Sequence, residues 1–367
     1  MQIPNKYFRT SMVYMMTNMP VINEIVAFCR DINGLLTFMG SYPTGGSGTG
    51  AREVSAATTN DGTDPLASKG AISLSRDGRF LFAVNAGSNS ISSFIITDGG
   101  ELVLADVKPS GGAQPNGLDV FGDLLYVSNV GNVANNFASN INGLRIHTDG
   151  RLTHIAGSAH SLSTFNAQPA GLAFTPDGSK IVVSEYTTNR LSVFKVNRNG
   201  TLTGPVINDS YGMGPFGSYF LSSGILLVTE EGSNALSSYS VSNNGILNVI
   251  SGSVPTGQKA TCWVITTKNE RFAYATNTLS GTISTYRIDN RGVLTVIGNT
   301  TSTPAGAATG LPIDVGVSKD GCNFYTLNGN QGTISVFHIK NDGSLVRLQV
   351  AASADFPYLG SQGLVAL

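Results

Sequence analysis

The chain has 367 residues, 44 of them glycine, with a formal net charge of −1 and only 12% charged side chains; an ordinary globular domain carries ~25%. No basic cluster interrupts it, which excludes a phosphate-tracking surface and with it nucleic acid as a partner. No apolar run approaches the ~20 residues that cross a bilayer, and the three cysteines, Cys29, Cys262 and Cys322, lack zinc-type spacing and cannot all pair with one another.

Residues 11–28 (SMVYMMTNMPVINEIVAF) come nearest to a leader, but Asn18, Pro20, Asn23 and Glu24 break the apolar stretch. The cytoplasm is therefore the default compartment; a low-charge, Ser/Thr-rich surface also suits a secreted protein. From residue 12 onward short apolar runs alternate with turn chemistry. The clearest unit runs from Gly70 to Val107. Ala71–Ser75, Phe80–Asn85, Ser90–Ile96 and Leu102–Val107 are four runs, separated by Arg76-Asp77-Gly78-Arg79, a polar loop and Asp98-Gly99-Gly100. Runs of this length, rich in Val, Ile and Phe and cut by Asp-Gly or Gly-Gly, predict antiparallel strands joined by tight turns. Glycine and aspartate accept the positive φ such turns demand.

The turn between the third and fourth runs recurs at Asn33-Gly34, Gly99-Gly100, Asp149-Gly150, Asn199-Gly200, Asn244-Gly245, Arg291-Gly292 and Asp342-Gly343. Seven turns predict seven units, spaced about 50 residues apart as in propeller blades. The expected blades are Met12–Ser41 with Gln362–Leu367, Gly70–Val107, Asn116–Ile155, Ala170–Gly204, Gly217–Ile250, Cys262–Ile297 and Pro312–Val350. The N-terminal unit starts on a second-strand pattern. Its missing first strand is expected from the C-terminal QGLVAL, which resembles Gly70–Leu74 and Gly171–Phe174. Such closure removes free sheet edges. The prediction is an all-β, seven-bladed propeller of four-stranded antiparallel blades, one domain over residues 1–367, with no edge that demands a second copy.

Two segments exceed the repeat: the link Gly45–Lys69 and the loop Val130–Asn140, both expected on the upper face of the disc. Long loops on such a face often carry function, and closure entropy also tolerates them as plain surface loops. The second strands end at Asn18, Asn85, Asn129, Glu185, Glu230, Asn277 and Asn328. An amide or carboxylate repeated at one position has a structural use, bonding the polar groups of the next loop. The two exceptions, Glu185 and Glu230, are the candidate catalytic carboxylates, acting as general base. Lys69, Asn85, Gln114, Asn129, Gln168, Lys259, Trp263, Asn277 and Asn328 are the candidate substrate-binding residues, with Lys69, Lys259 or a rim amide polarising a carbonyl. Trp263, the single tryptophan, offers either an apolar wall or a packing residue. His147, His154, His160 and His338 are scattered, and no phosphate loop, dinucleotide fingerprint or nucleophile elbow is present. Glu185, Glu230 and Asn129 have the oxygen chemistry of a Ca²⁺ site, but no cofactor or metal is expected.

The element S-x-D-G-x-x-[LF]-[FY]-x-x-N, followed by F-x-I and an Asp-Gly turn before Leu, is carried by Ser75–Asn85, Phe94–Leu102, Ser318–Asn328 and Phe337–Leu345. It resembles the seven-bladed β-propeller lactonase family, which includes a bacterial phosphogluconolactonase and a fungal carboxymuconate cyclase. The resemblance implies a lactonase-like hydrolase acting on a small lactone or ester at the channel mouth. It also implies histidine and arginine there, often as a Pro-His pair. This chain has Pro115-Asn116, Pro169-Ala170, Pro215-Phe216 and Pro312-Ile313 instead, and only Lys69 and Lys259 as nearby cations. The alternative is a non-catalytic propeller that binds a ligand in the channel or a protein on its upper face.

Overall fold

The computed structural model describes residues 11–56 and 61–367. Seven antiparallel four-stranded sheets stand around a central axis, six of them built from strands consecutive in sequence; one of these carries an additional short strand. The innermost strands are Ile72–Leu74, Pro115–Phe121, Pro169–Phe174, Pro215–Phe220, Thr261–Thr266, Pro312–Val317 and Leu364–Ala366. The last of these pairs with Ser11–Met16 in the register Val13 to Ala366, Tyr14 to Val365 and Met15 to Leu364. The C-terminal segment thus supplies the first strand of blade one, as its sequence pattern predicts.

The second strands lie between neighbouring blades and are buried on both faces. Phe80–Asn85, Leu124–Asn129, Phe272–Asn277 and Asn323–Asn328 are buried at every position. That is why they read as continuous apolar runs rather than alternating ones. Outer strands reach water on one side, and Leu102–Pro109 is buried only at its first residue. Outer strands also extend past the expected ends, to Asp209 in blade four, Pro255 in blade five and Thr301 in blade six. A register shift in each lets pairing resume beyond the point where the repeat pattern fades. In blade three the fourth strand is split into Leu152–His154 and His160–Ser161, both paired to the third.

The glycine turns that count the blades also fasten them. Tyr14 Oη donates to Gly100 O at 2.8 Å, Tyr126 Oη to Gly200 O at 2.7 Å, and Tyr274 Oη to Gly343 O at 2.9 Å. Ser93 and Ser238 hydroxyls do the same to Gly150 O and Gly292 O, each at 2.7 Å. Each bond joins one blade to the turn of the next. Gly100 has φ +91°, and a Cβ there would collide with the Met12 side chain of blade one. Only glycine meets both demands at that position.

Candidate functional site

The link between blades one and two is not a surface loop. Residues 63–68 are buried almost completely, and the link touches every blade. Thr49 N donates to Asn18 Oδ1 of blade one at 3.1 Å, and Gly87 N of blade two donates to Ser47 O at 2.9 Å. With the Gln114 amide turned so that its nitrogen donates to Gly131 O at 2.8 Å, its oxygen accepts from Arg52 Nη1 at 2.9 Å, at the start of blade three. Lys69 N donates to Ala170 O of blade four at 2.8 Å. Lys69 Nζ donates to Ser218 O of blade five at 2.6 Å, and Trp263 Nε1 of blade six donates to Ser68 O at 3.1 Å. In blade seven a side chain at Gly329 would collide with the Thr63 carbonyl. Ala67 packs in one core with Phe216, Trp263 and Ile313. This strand of chain lies across the axis and fills the upper end of the channel. Residues 57–60 of the link lie outside the described residues.

The upper rim residues are thereby engaged in structure. Glu185 is fully buried. Its carboxylate accepts from Ser163 N at 3.0 Å, Thr188 Oγ1 at 3.0 Å, and the hydroxyls of Ser163 and Ser192. Glu230 is equally buried and accepts from Gly212 N at 2.9 Å and from the hydroxyls of Ser237 and Ser253. Asn85, Asn277 and Asn328 use the same position differently, each donating from Nδ2 to hydroxyls on the third strand: Ser90 and Ser92, Thr282 and Ser284, Thr333 and Ser335. Asn129 Nδ2 donates to Asn140 Oδ1 at 2.8 Å. Carboxylates and amides both brace the turn into the third strand. The geometry therefore gives Glu185 and Glu230 a bracing role and does not bring them to the channel.

Gln168 accepts from Ala56 N at 2.9 Å and so ties down the link, as Gln114 does. Trp263 is fully buried, edge-on to Phe216 with ring centroids 4.9 Å apart. Lys259 is exposed and lies apart from the channel lining. Among the described residues no group of three or more His, Cys, Asp or Glu stands together as a metal site. The three cysteines are free thiols.

Below the link the channel holds a cavity of about 480 Å³. The strand-one-to-strand-two turns, at Arg76, Pro176, Ser222 and Glu270, form its mouth, so it opens on the lower face. Ile72, Leu118, Leu172, Phe174, Val315 and Leu364 make apolar walls. Lys69, the last residue of the link, sits at the closed end, its ammonium 4.8 Å from the centre of the Tyr219 ring. Asp119 and Asp314 line the same cavity from the first strands of blades three and seven. Burial pulls the Lys69 ammonium down to about 8, against the two aspartates that support its charge. Burial also pushes the Asp314 carboxyl up to about 7, although Gly363 N–H bonds it at 2.7 Å and Lys69 opposes the shift. Asp119 is raised for the same reason, against N–H bonds from Phe174 and Val120. A concave, mostly apolar site with a few converging ionisable groups shifted toward neutrality is the usual shape of an active centre.

Of the sequence-predicted residues only Lys69 belongs to this cavity. Asp119 and Asp314 escape sequence reading because each interrupts an apolar run, Leu118-Asp119-Val120 and Ile313-Asp314-Val315. Both lie on innermost strands, Asp119 four residues after Pro115 and Asp314 two residues after Pro312, so no shared repeat position marks them. A larger groove of about 910 Å³ lies between blades seven and one on the lower face, but its guanidinium, Arg30, is committed to Asp320 at 2.5 Å and Asn323 at 2.6 Å.

The family model described as lactonase, 7-bladed beta-propeller matches residues 33–133, 130–265 and 263–357. Among solved structures, a Bacteroides fragilis protein provisionally assigned as a 6-phosphogluconolactonase superposes with a TM-score of 0.71 at 18% identity, covering 100% of both chains. The Pseudomonas aeruginosa periplasmic gluconolactonase PpgL gives 0.73 at 16% identity, over 98% of this chain and 99% of that one. A Staphylococcus aureus virginiamycin B lyase gives 0.55 at 16% identity, over 79% and 87%. No curated protein matches this chain in sequence. At these identities the structural likeness speaks for the fold, and the family match extends over most of the chain: it belongs to the lactonase family of seven-bladed β-propellers.

Proposed function

We propose that this chain is a lactonase-type hydrolase whose reaction takes place in the lower channel cavity. The observation that carries this reading is that Lys69, Asp119 and Asp314 line one pocket with apolar walls and act on one another's charge. Asp314, near neutrality in its acidity, takes a proton from water as the oxygen attacks the lactone carbonyl. The Lys69 ammonium stands ready for the oxyanion that develops, beside the apolar walls of the cavity. Collapse of the tetrahedral intermediate breaks the ring C–O bond, and the proton held by Asp314 passes to the leaving alkoxide. Lys69 needs no rearrangement for this, because its backbone is held by Ala170 O and its amine by Ser218 O.

The charge balance favours an uncharged lactone. The lining holds two basic side chains, Lys69 and Arg76, and three acidic ones, Asp119, Glu270 and Asp314. Arg76 is already stacked on Phe121 at 4.4 Å and donates to Pro176 O at 3.2 Å. A phosphate dianion gains no cluster of cations here and meets three acidic side chains. The test is hydrolysis of a panel of neutral and phosphorylated lactones, with Asp314→Asn alongside. Turnover of neutral lactones that Asp314→Asn removes supports the reading. Turnover indifferent to that change moves the chemistry elsewhere, and saturable ligand binding without turnover supports the binding-module alternative.

A further inference from the structure

Lys69 differs from the surface lysines in more than burial. An amine attacks a carbonyl only through its neutral form, so a nucleophilic lysine needs an apolar setting, no tight ion pair and a nearby group to move protons. All three conditions meet at the closed end of the channel. The amine faces an apolar pocket and the Tyr219 ring. Its hydrogen bond goes to a neutral acceptor, Ser218 O at 2.6 Å. Among the described residues no carboxylate oxygen forms an ion pair with it within 4.0 Å. Asp119 and Asp314 nonetheless line the same cavity and act on its charge. One Asp314 oxygen is taken by Gly363 N–H at 2.7 Å. Amine and carboxyls thus share one cavity without closing on each other in an ion pair.

We infer that the lower channel cavity captures small uncharged aldehydes or ketones as an imine on Lys69 Nζ, with Asp314 moving the protons. The nitrogen lone pair forms the N–C bond, and a first proton passes from the nitrogen to the carbonyl oxygen to give a carbinolamine. Its C–O bond then breaks. The oxygen leaves as water with a proton from the Asp314 carboxyl, and the proton lost from nitrogen returns to the Asp314 carboxylate. The sum is amine plus carbonyl giving imine plus water, with no redox partner. Near pH 8 the ammonium and amine forms of Lys69 coexist, so the same side chain serves both this step and oxyanion stabilisation. The inference shares the cavity of the proposed hydrolase but does not need hydrolysis to occur.

The experiment traps the imine. The full-length protein is incubated with propanal or butanone and sodium cyanoborohydride at pH 7.5, then analysed by intact mass and peptide mapping. Lys69 is expected to be alkylated at least tenfold faster than Lys268 and Lys319, which are exposed and serve as internal references. Asp314→Asn is expected to slow trapping at Lys69 about tenfold and leave the reference lysines unchanged. A Lys69 rate no greater than the references overturns the inference, and this readout needs no variant to fold. An Asp314→Asn rate equal to wild type at Lys69 overturns the proton-transfer role. Lactone hydrolysis is measured on the same preparations. Hydrolysis without trapping rejects the imine and leaves the hydrolase standing, and trapping without hydrolysis does the reverse.

Discussion

The indole N–H of Trp263, in blade six, donates to the carbonyl of Ser68, in the link between blades one and two, at 3.1 Å across 195 positions of sequence. The bond locks a piece of the chain's own backbone over the channel. It explains why the upper rim, where loops converge, is filled with protein, and why the open cavity lies on the other face.

Trp263 is the single tryptophan and is fully buried. Native emission should therefore lie well to the blue of the unfolded protein and resist quenching by iodide. Trp263→Phe removes the bond to Ser68 and should lower stability by ~1–3 kcal/mol, the cost of weakening a buried polar pairing. Denaturant titration followed by circular dichroism measures it. An unchanged midpoint would show that the link is held without the indole.

Glu185→Gln and Glu230→Gln should each destabilise the protein by ~1–3 kcal/mol, because an amide nitrogen then faces hydroxyls and N–H groups that now donate to a carboxylate. Lactone turnover per folded molecule should stay within about twofold. A large loss of turnover at full stability would restore these carboxylates to the chemistry.

The rate profile should be a narrow bell. Asp314 must be ionised, which sets the acid limb near 7, and Lys69 must be protonated, which sets the alkaline limb near 8. Asp314→Asn should cost ~10²–10⁴-fold in kcat. Lys69→Met should remove the alkaline limb along with most of the rate. A flat profile between pH 6 and 9 contradicts both assignments.

Stability should depend on pH through the same pair. Burial raises the Asp314 carboxyl from its ordinary 3.8 to about 7 in the folded state, so its contribution is fully present below pH 3.8 and is lost as the pH rises through 7. Lys69 is shifted the other way, to about 8 from 10.5, so its contribution is present above 10.5 and is lost as the pH falls through 8. Together, with Asp119 and Asp64 as the neighbouring carboxyls, they place a stability minimum near pH 7–8. Asp314→Asn should flatten the acid side of that minimum, as thermal melts across pH 5–9 will show.

Removing Gly363–Leu367 should abolish cooperative folding, because Leu364–Ala366 is the inner strand of blade one and Leu367 N donates to Met12 O at 2.8 Å. Its loss exposes the edge of Ser11–Met16 and opens the ring. A truncated protein with a sharp melt and native size would refute the closure.

The blade count and the ring closure were legible because they rest on local chemistry. A glycine turn such as Asp149-Gly150 demands positive φ wherever it stands, and a second-strand pattern at Met12 without a first strand demands a partner. The recurring amide or carboxylate at the end of the second strand was equally legible as a repeated brace, and Glu185 turns out to perform that role with acceptors where Asn277 uses donors. The site was not legible in the same way. Lys69, Asp119 and Asp314 lie on three separate segments, and nothing local distinguishes Asp119 from any aspartate in a strand. What brings them together is the path of residues 63–69 across the axis, and what shifts their acidities is burial, which arises only when seven blades close around them.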